Sequence, residues 1–196
     1  MMRKTHKIVG VLLVVVLLVM ASCGQRYVPR PRGYFRIDLP DTAYSLYAPK
    51  GFPYAFELSD NAEVQPRMAE GERYWIDIRY PRFNAAVHCS YKPVEGNLRA
   101  LSADAQNFVY KHASVASSLP EQGYENPETR VYGLYYELQG NTASPCQFYL
   151  TDSVRHFFRG AVYFNNSPNQ DSLAPVIDYI EQDVRHLIET FNWQKP

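Results

Sequence analysis

Alternating apolar and polar residues predict most of the secondary structure of this 196-residue chain. The clearest run covers residues 74–80, where every second residue is a tyrosine or an isoleucine. A short turn at residues 81–84 and a second alternating run at residues 85–92 follow directly. Two adjacent alternating runs joined by a short turn predict a β-hairpin.

The same alternation predicts five further strands, at residues 44–47, 54–58, 131–139, 146–151 and 157–164. Two longer segments, residues 97–118 and 173–191, instead repeat apolar residues at three- and four-residue spacing, which predicts amphipathic helices. We predict Asn97 as the N-cap of the first helix, and Asp171 or Ser172 as that of the second.

Strands in hairpin order, with one helix in the middle and one at the end, predict an α+β fold. We expect a single domain in which a mostly antiparallel sheet is covered by two main helices. This order of elements resembles the Mog1/PsbP-like fold, although a fold alone does not determine a function.

The first residues have the pattern of an export signal. Three basic residues precede an apolar run at residues 8–20, whose 13 residues are too few for a membrane-spanning helix of roughly 20. Two small residues and then Cys23 follow, an arrangement that resembles the lipobox of lipoprotein signal peptidase. We therefore predict a signal peptide at residues 1–22 and lipid on Cys23. The alternative is an ordinary signal peptide in which the cysteine is incidental.

The next segment mixes prolines with arginines, so it cannot form a regular helix or a central strand. We predict a lipidated tether at residues 23–32 and a globular α+β domain at residues 33–196. The expected anchor is therefore a membrane surface, reached through the N-terminal lipid.

The overall charge argues against nucleic acid as a partner. Removal of residues 1–22 takes away three basic residues and no acidic ones, leaving 17 Lys and Arg against 20 Asp and Glu. A nearly neutral chain lacks the basic surface that binding to a phosphate backbone requires, and no nucleic-acid-binding motif is present.

Cysteine and histidine usage is compatible with more than one interpretation. Cys89 and Cys146 either form a disulfide, which an exported protein permits, or remain two independent buried thiols. The four histidines that follow the signal peptide show no metal-ligand spacing, and no phosphate-binding or dinucleotide-binding loop is present. We therefore predict no cofactor and no metal.

A cryptic periplasmic hydrolase or metal-dependent enzyme is the alternative function. It would use Asp152, Ser153 and His156, or His88, as its catalytic or ligating groups. The close spacing of the first three does not favour this, because catalytic triads assemble from distant segments and a strained elbow such as GxSxG is missing. Adjacent Asp and Ser residues at the end of a strand more often form a turn. We therefore predict that the protein is not an enzyme.

The segment from residue 140 to residue 164 is the predicted interaction face. Small polar turns alternate there with strands rich in tyrosine, a residue type enriched at protein interfaces. The candidate side chains are Asn141, Gln147, Tyr149, Asp152, Ser153, His156 and Arg159. The loop at residues 140–144 is too small and polar to be packing material, and such a loop makes tight turns or lets another backbone approach closely. The alternative is a turn followed by ordinary strand residues that face water.

Seven segments, together with the lipobox, make the chain similar to the gliding motility lipoprotein GldD family of the Bacteroidota. They are PRGYFRIDLP (31–40), NAAVHCSYK (84–92), VYKH (109–112), GNTAS (140–144), QFYLTDS (147–153), HFFRG (156–160) and YF (163–164). They occur in the expected order across nearly all of the mature chain.

The resemblance implies a noncatalytic accessory protein of the gliding motility and type IX secretion apparatus, with other motility or secretion lipoproteins or envelope proteins as partners. It supplies no catalytic residues. The residues after Cys23 lack the acidic cluster of surface-exported lipoproteins of this phylum, so we expect a lipid-anchored protein of the cell envelope that faces the periplasm.

Overall fold

The computed structural model describes residues 37–68, 71–165 and 170–194, apart from the side chains of residues 170 and 171. In this part of the chain ten strands form two sheets. The predicted signal peptide, Cys23 and the tether lie outside the described residues, so these features and the domain boundary at residue 33 stay predictions.

A seven-stranded antiparallel sheet has the order β3-β4-β5-β9-β8-β7-β6. Its strands are β3 (Glu63–Pro66), β4 (Ile76–Tyr80), β5 (Ala85–Pro93), β6 (Glu121–Asn126), β7 (Val131–Glu137), β8 (Cys146–Thr151) and β9 (His156–Phe164). A smaller sheet has the order β1-β2-β10, with β1 (Tyr44–Tyr47), β2 (Tyr54–Ser59) and β10 (Asn192–Trp193). The helices are α1 (Leu98–Ala113) and α2 (Gln170–Thr190), and a short 3₁₀ turn covers Pro81–Phe83. The predicted α+β fold is therefore confirmed.

The strands predicted from alternation are confirmed, with ends that move by two residues at most. The prediction missed β3, β6 and β10. β6 reads EQGYEN and lies at an edge of the sheet, where most of its residues are exposed. An edge strand that is polar on both faces gives no alternation, which explains the omission.

The predicted N-cap position of helix α1, Asn97, is confirmed, although its side chain does not bond to the helix, and the predicted N-cap of helix α2 is wrong. The Asn97 side chain accepts a hydrogen bond from the backbone N–H of Glu95 at 2.9 Å and makes none to the helix. Helix α2 begins at Gln170, so Asp171 and Ser172 lie inside its first turn. In helix α2 the apolar residues at three- and four-residue spacing begin only where the helix meets the core. The spacing therefore places the start of this helix too late.

The main core lies between the seven-stranded sheet and helix α2. One face of β4, β5, β8 and β9 packs there against the apolar face of the helix, and the small sheet closes the side. Tyr54 and Phe56 of β2 meet Phe158 of β9 and Phe191 after α2, with ring centroids 4.7 to 6.4 Å apart. Aromatic pairs at such distances add to the stability that burial itself gives.

Polar contacts hold helix α2 to the small sheet. The buried Asp183 carboxylate accepts a hydrogen bond from the Tyr44 hydroxyl at 2.9 Å, and His186 Nε2 lies 2.6 Å from the Glu57 carboxylate. Burial raises the pKa of Asp183, although the hydroxyl groups around it act in the opposite direction. The helix is therefore fixed by directional bonds as well as by apolar packing.

Cys89 and Cys146 are free, fully buried thiols. Cys89 lies opposite Gly160 on β9, which in turn lies opposite Phe148 on β8. Cys146 is thus two strands away from Cys89 and displaced along the strand, a separation of roughly 10 Å or more, whereas a disulfide needs Cα atoms within about 7 Å. The disulfide alternative is excluded.

Glu181 of helix α2 makes the stability of the fold depend on pH. Burial raises its pKa to about 7, with Glu137 and Asp178 acting in the same direction and Arg185 opposing them. The folded chain therefore keeps a proton on this carboxyl that the unfolded chain releases near its ordinary value of 4.5. This stabilising contribution is complete below pH 4.5 and is lost as the pH rises through about 7.

We predict that Glu181→Gln raises the free energy of unfolding at pH 8, because the replacement cannot ionise. The expected gain is about 1 kcal/mol once partial exposure is allowed for, and it vanishes by pH 4. Urea unfolding followed by circular dichroism across this range measures it. Glu189→Gln, at an exposed position of the same helix, is the matched control and should change little. Equal stability of Glu181→Gln and the native chain at pH 8 would contradict the assignment.

Candidate functional site

The second face of the seven-stranded sheet is only partly covered, and this leaves a cleft. Helix α1 packs there through Ala105 and Val109 over strands β7 to β9. Between the helix and strands β4 and β5 a cleft of about 420 Å³ remains, a volume typical of ligand-binding sites. Its lining residues are Arg67, Trp75, His88, Ser90, Lys92, Leu101, Asp104, Ala105, Phe108, Phe157, Arg159, Ala161 and Tyr163.

Arg159 lies on the floor of the cleft, on the central strand β9. Its Nη2 donates a hydrogen bond to Gln147 Oε1 at 2.9 Å, and its guanidinium lies 4.4 Å from the centre of the Phe108 ring. Gln147, on the neighbouring strand, is only 1% exposed. Burial lowers the pKa of Arg159 below its usual value, and the nearby Tyr163 acts in the opposite direction. The guanidinium is thus held in one orientation by a ring and an amide.

His112 connects helix α1 to the floor of the cleft. Its Nδ1 lies 2.9 Å from the Phe108 carbonyl oxygen and 3.3 Å from Gln147 Nε2, while Nε2 lies 3.5 Å from the Tyr163 hydroxyl. A proton on Nδ1 is donated to the Phe108 carbonyl; a proton on Nε2 instead leaves Nδ1 as the acceptor for the Gln147 amide. In both cases the ring joins the helix to the sheet, because Nε2 lies next to the Tyr163 hydroxyl of β9 whichever nitrogen carries the proton.

The opposite wall of the cleft carries paired charges around Trp75. His88 Nδ1 lies 2.7 Å from the Asp77 carboxylate, which also lies 3.7 Å from a terminal nitrogen of Arg67. Lys92 donates a hydrogen bond to Glu72. The guanidinium of Arg67 and the amine of Lys92 lie 4.8 and 5.5 Å from the Trp75 ring centre. This wall is therefore an indole flanked by two cations whose charges are largely balanced.

The seven predicted interface residues do not share one surface. Gln147, Tyr149 and Arg159 lie on the cleft side of the sheet, but only Arg159 lines the cleft. Tyr149 packs beneath helix α1, where its ring stacks on Phe157 at 5.2 Å. The ring is therefore partly covered by the helix, and a role of Tyr149 in contacting a partner stays a prediction.

Asp152 and Ser153 form the turn between β8 and β9. The Asp152 carboxylate accepts hydrogen bonds from the backbone N–H groups of Val154, Arg155 and His156 at 3.0, 2.7 and 2.9 Å. Burial raises the pKa of Asp152, but these three bonds outweigh it and hold the pKa below its ordinary value of 3.8. Ser153 has a φ of +67°, and its N–H is bonded to the Thr151 hydroxyl. Both residues serve the backbone locally.

The catalytic arrangement of the alternative function is not assembled. The His156 ring bonds to the Tyr91 hydroxyl at 2.7 Å and stacks on Trp193, whereas His88 lies in the cleft on the other face of the sheet. Within the described residues no hydrogen bond joins the Ser153 hydroxyl to the His156 ring, and no group of three or more potential ligands is placed to hold a metal.

The loop from Gly140 to Ser144 lies at the other end of β8 from Asp152. Thr142 and Ser144 are buried, and their hydroxyl groups donate to backbone carbonyl groups at positions 138, 144 and 146, whereas Asn141 is exposed. At Gly140, with φ of +105°, an added Cβ would lie 3.1 Å from the backbone nitrogen of Ser117. The close approach of a second backbone is confirmed, but the segment also packs in the interior, which its small polar residues had argued against.

Sequence reasoning missed most of the cleft. His88, Ser90 and Lys92 are the polar residues that alternate with apolar ones along β5. Tyr163 lies on the same side of the neighbouring strand β9. Alternation predicts that such residues share a face, but it does not tell a water-facing surface from a cleft beneath a helix. A further signal was available: four of the seven segments that carry the family resemblance contribute a side chain to this face of the sheet, and a fifth, at residues 109–112, belongs to the helix packed on it.

The comparisons with known proteins concern nearly the whole of the predicted mature chain. Residues 24–193 match the family described as gliding motility lipoprotein GldD. No curated protein shows significant similarity to the chain. Within the described residues, no helix is long and apolar enough to cross a membrane.

Among solved structures the chain is similar to the cyanobacterial PsbP protein CyanoP from Synechocystis sp. PCC 6803, determined in solution. The two share 11% identity with a TM-score of 0.47, and the alignment covers 88% of this chain and 98% of that chain.

We predict that Asp152→Ala acts on stability. Loss of three backbone hydrogen bonds to one carboxylate should reduce the free energy of unfolding by about 1–2 kcal/mol at pH 7. The loss should shrink in acid, because this contribution is complete above pH 3.8 and disappears as the pH falls through the lowered pKa of Asp152. Urea unfolding at pH 7 and pH 3 measures both effects, with Asp152→Asn as the control that retains one acceptor oxygen. Unchanged stability at pH 7 would restore Asp152 as an interface candidate.

Proposed function

The chain belongs to the gliding motility lipoprotein GldD family, and we propose that it acts as a noncatalytic, lipid-anchored accessory component of the gliding motility and type IX secretion apparatus. The observation that carries this proposal is the family match over residues 24–193. It begins directly after the predicted lipidation site and continues to the end of β10.

The binding role, as opposed to catalysis, has support from the geometry of the polar residues. Asp152 and Ser153 are engaged in a turn, and the His156 ring is bonded to Tyr91 on the side away from the cleft. The cleft itself holds cations and aromatic rings, which suit recognition. We therefore assign the protein to binding and assembly, with other envelope proteins of the apparatus as its partners.

We propose that the acyl chains on Cys23, palmitate among them, confine the domain to a membrane that faces the periplasm of a member of the Bacteroidota. Confinement to a surface raises the effective concentration of two anchored proteins, so a contact of modest affinity is sufficient. The proline- and arginine-rich tether sets the distance over which the domain reaches a partner.

We further propose that the cleft beside helix α1 is the surface that recognises the partner. It combines a concave shape, an oriented guanidinium and several aromatic rings in one place. Of the predicted interface residues, Arg159 contacts a ligand in this proposal and Gln147 positions it. Asn141, at the far end of β8, lies outside this surface.

We predict that Cys23→Ala abolishes incorporation of radiolabelled palmitate and releases the protein from the membrane fraction. Gliding and secretion should fall with it, because the domain loses its confinement to the surface. Cys146→Ala is the matched control, since it removes a buried thiol and leaves the predicted lipid site intact. Persistent membrane attachment of the Cys23→Ala protein, together with no label in the native protein, would reject the anchor.

We also predict that Arg159→Ala reduces gliding or secretion at least several-fold while membrane attachment and abundance stay unchanged. Arg185→Ala is the control, because Arg185 likewise lies over a tyrosine ring, at 4.2 Å from Tyr135, but on the opposite face of the sheet. Cell spreading and secreted-protein assays measure the effect. Normal function of Arg159→Ala cells would exclude the cleft as the recognition surface.

A further inference from the structure

We propose that the cleft binds a carboxylate joined to an apolar group, presented by an extended peptide segment, and that Arg159 is the residue that binds the carboxylate. This inference rests on the proposed function only in taking the cleft as the recognition surface. It adds the chemical class of the ligand.

Arg159 has hydrogen-bond donors to spare. A guanidinium carries five N–H donors, and the Gln147 amide takes one of them. No carboxylate of the described residues lies within ion-pair distance of it, and the Phe108 ring fixes the plane of the guanidinium from one side. A planar fork held in advance suits a carboxylate, which accepts two parallel N–H bonds. Fixing the donors beforehand also lowers the entropic cost of binding.

The other charged groups of the cleft do not pair with this guanidinium: Asp104 lines the same cleft, but within the described residues no ion pair joins it to Arg159. His88 and one end of Arg67 contact the Asp77 carboxylate, and Lys92 contacts Glu72. The Nε of Arg67 is buried and has no acceptor within the described part of the chain, so it is not presented to a ligand. One guanidinium without a carboxylate partner, in a cleft that also holds Asp104, matches a ligand with a single negative charge better than a doubly charged phosphate.

Apolar walls stand next to this cationic floor. Trp75 lies on one side, and Leu101 and Phe108 of helix α1 lie on the other. Phe108 is 44% exposed although it occupies the apolar stripe of its helix, so it contributes contact area that the fold itself does not use. An apolar group attached to the carboxylate would be desolvated between these walls.

Polar groups between the apolar walls favour a peptide over a simple fatty acid. Ser90, Tyr163 and Asp104 line the same cleft, and their oxygen atoms suit backbone amide groups. An acyl chain would leave these groups without partners, at a cost in free energy. The carboxylate has two sources in a peptide, an acidic side chain or the chain terminus, and the two share one chemistry.

The test uses the full-length protein in detergent with Trp193→Phe, so that Trp75 is the single remaining tryptophan of the two in the chain. Its fluorescence reports the cleft, because the indole forms one wall. The probes are acetyl-Leu-Glu-Phe-amide and its neutral counterpart acetyl-Leu-Gln-Phe-amide. Acetyl-Leu-Phe with a free carboxyl terminus, its amide, and laurate complete the set.

We expect the Glu peptide to bind about tenfold more tightly than the Gln peptide, and Arg159→Gln to remove this difference without weakening the Gln peptide. Arg159→Lys should keep part of the difference, because it keeps the charge and loses the fork. Arg185→Gln should bind as the native protein does. If Arg159→Gln fails to fold, Arg159→Lys and the comparison of the two native affinities decide the matter.

Tighter binding of acetyl-Leu-Phe than of the Glu peptide would assign the ligand to a chain terminus. Three results would each overturn the inference. They are equal affinities of each acid and its amide, an unchanged preference of Arg159→Gln for the Glu peptide over the Gln peptide, and tighter binding of laurate than of all peptides. Such results, with Arg159→Ala cells still impaired, would leave the proposed function standing with another ligand. Acid-selective binding in vitro with normal Arg159→Ala cells would instead reject the proposed role of the cleft.

Discussion

The structure depends on the pleat of strand β9. This strand occupies the middle of the seven-stranded sheet and pairs with β5 on one side and β8 on the other. Phe158, Gly160 and Val162 point to the core beneath helix α2, and Arg159 points to the cleft beneath helix α1. Because side chains alternate with a period of two, a slip of one residue would exchange the two sets and place a guanidinium in the core. Gly160 contributes to the same constraint, since a Cβ there would lie 2.4 Å from the Phe148 ring.

Much of the fold was predictable because every second residue of strands such as β4 and β5 is apolar and faces the core. Ile76 and Ile78 in β4, and Val87 and Cys89 in β5, are buried on the same side as the alternation requires. The edge strands escaped prediction for the opposite reason. Strand β6 faces water along most of its length, so its composition reports only exposure. Its place in the sheet comes from hydrogen bonds to β7, which a local pattern does not encode.

The site was less predictable, because polarity has two origins that look alike in a sequence. Asp152 is polar because the backbone of its own turn needs an acceptor, whereas Arg159 is polar without a carboxylate partner in the described part of the chain. Only the three-dimensional contacts separate these cases. Residues from one helix and four strands meet at the cleft or in its wall. The family resemblance was the sole sequence signal that grouped these residues, because it does not depend on their distance along the chain.

The two helices are attached to the sheet with different strength, and this bears on how the cleft works. Helix α2 buries a continuous apolar face, whereas α1 buries only Ala105 and Val109 among its described residues. Since burial of apolar area dominates the free energy of docking, α1 is the helix that separates from the sheet more readily. It also carries Phe108 over Arg159 and His112 against Gln147. The orientation of the guanidinium and the position of the apolar wall therefore depend on the same weakly held helix, and a ligand that contacts both stabilises its docked position.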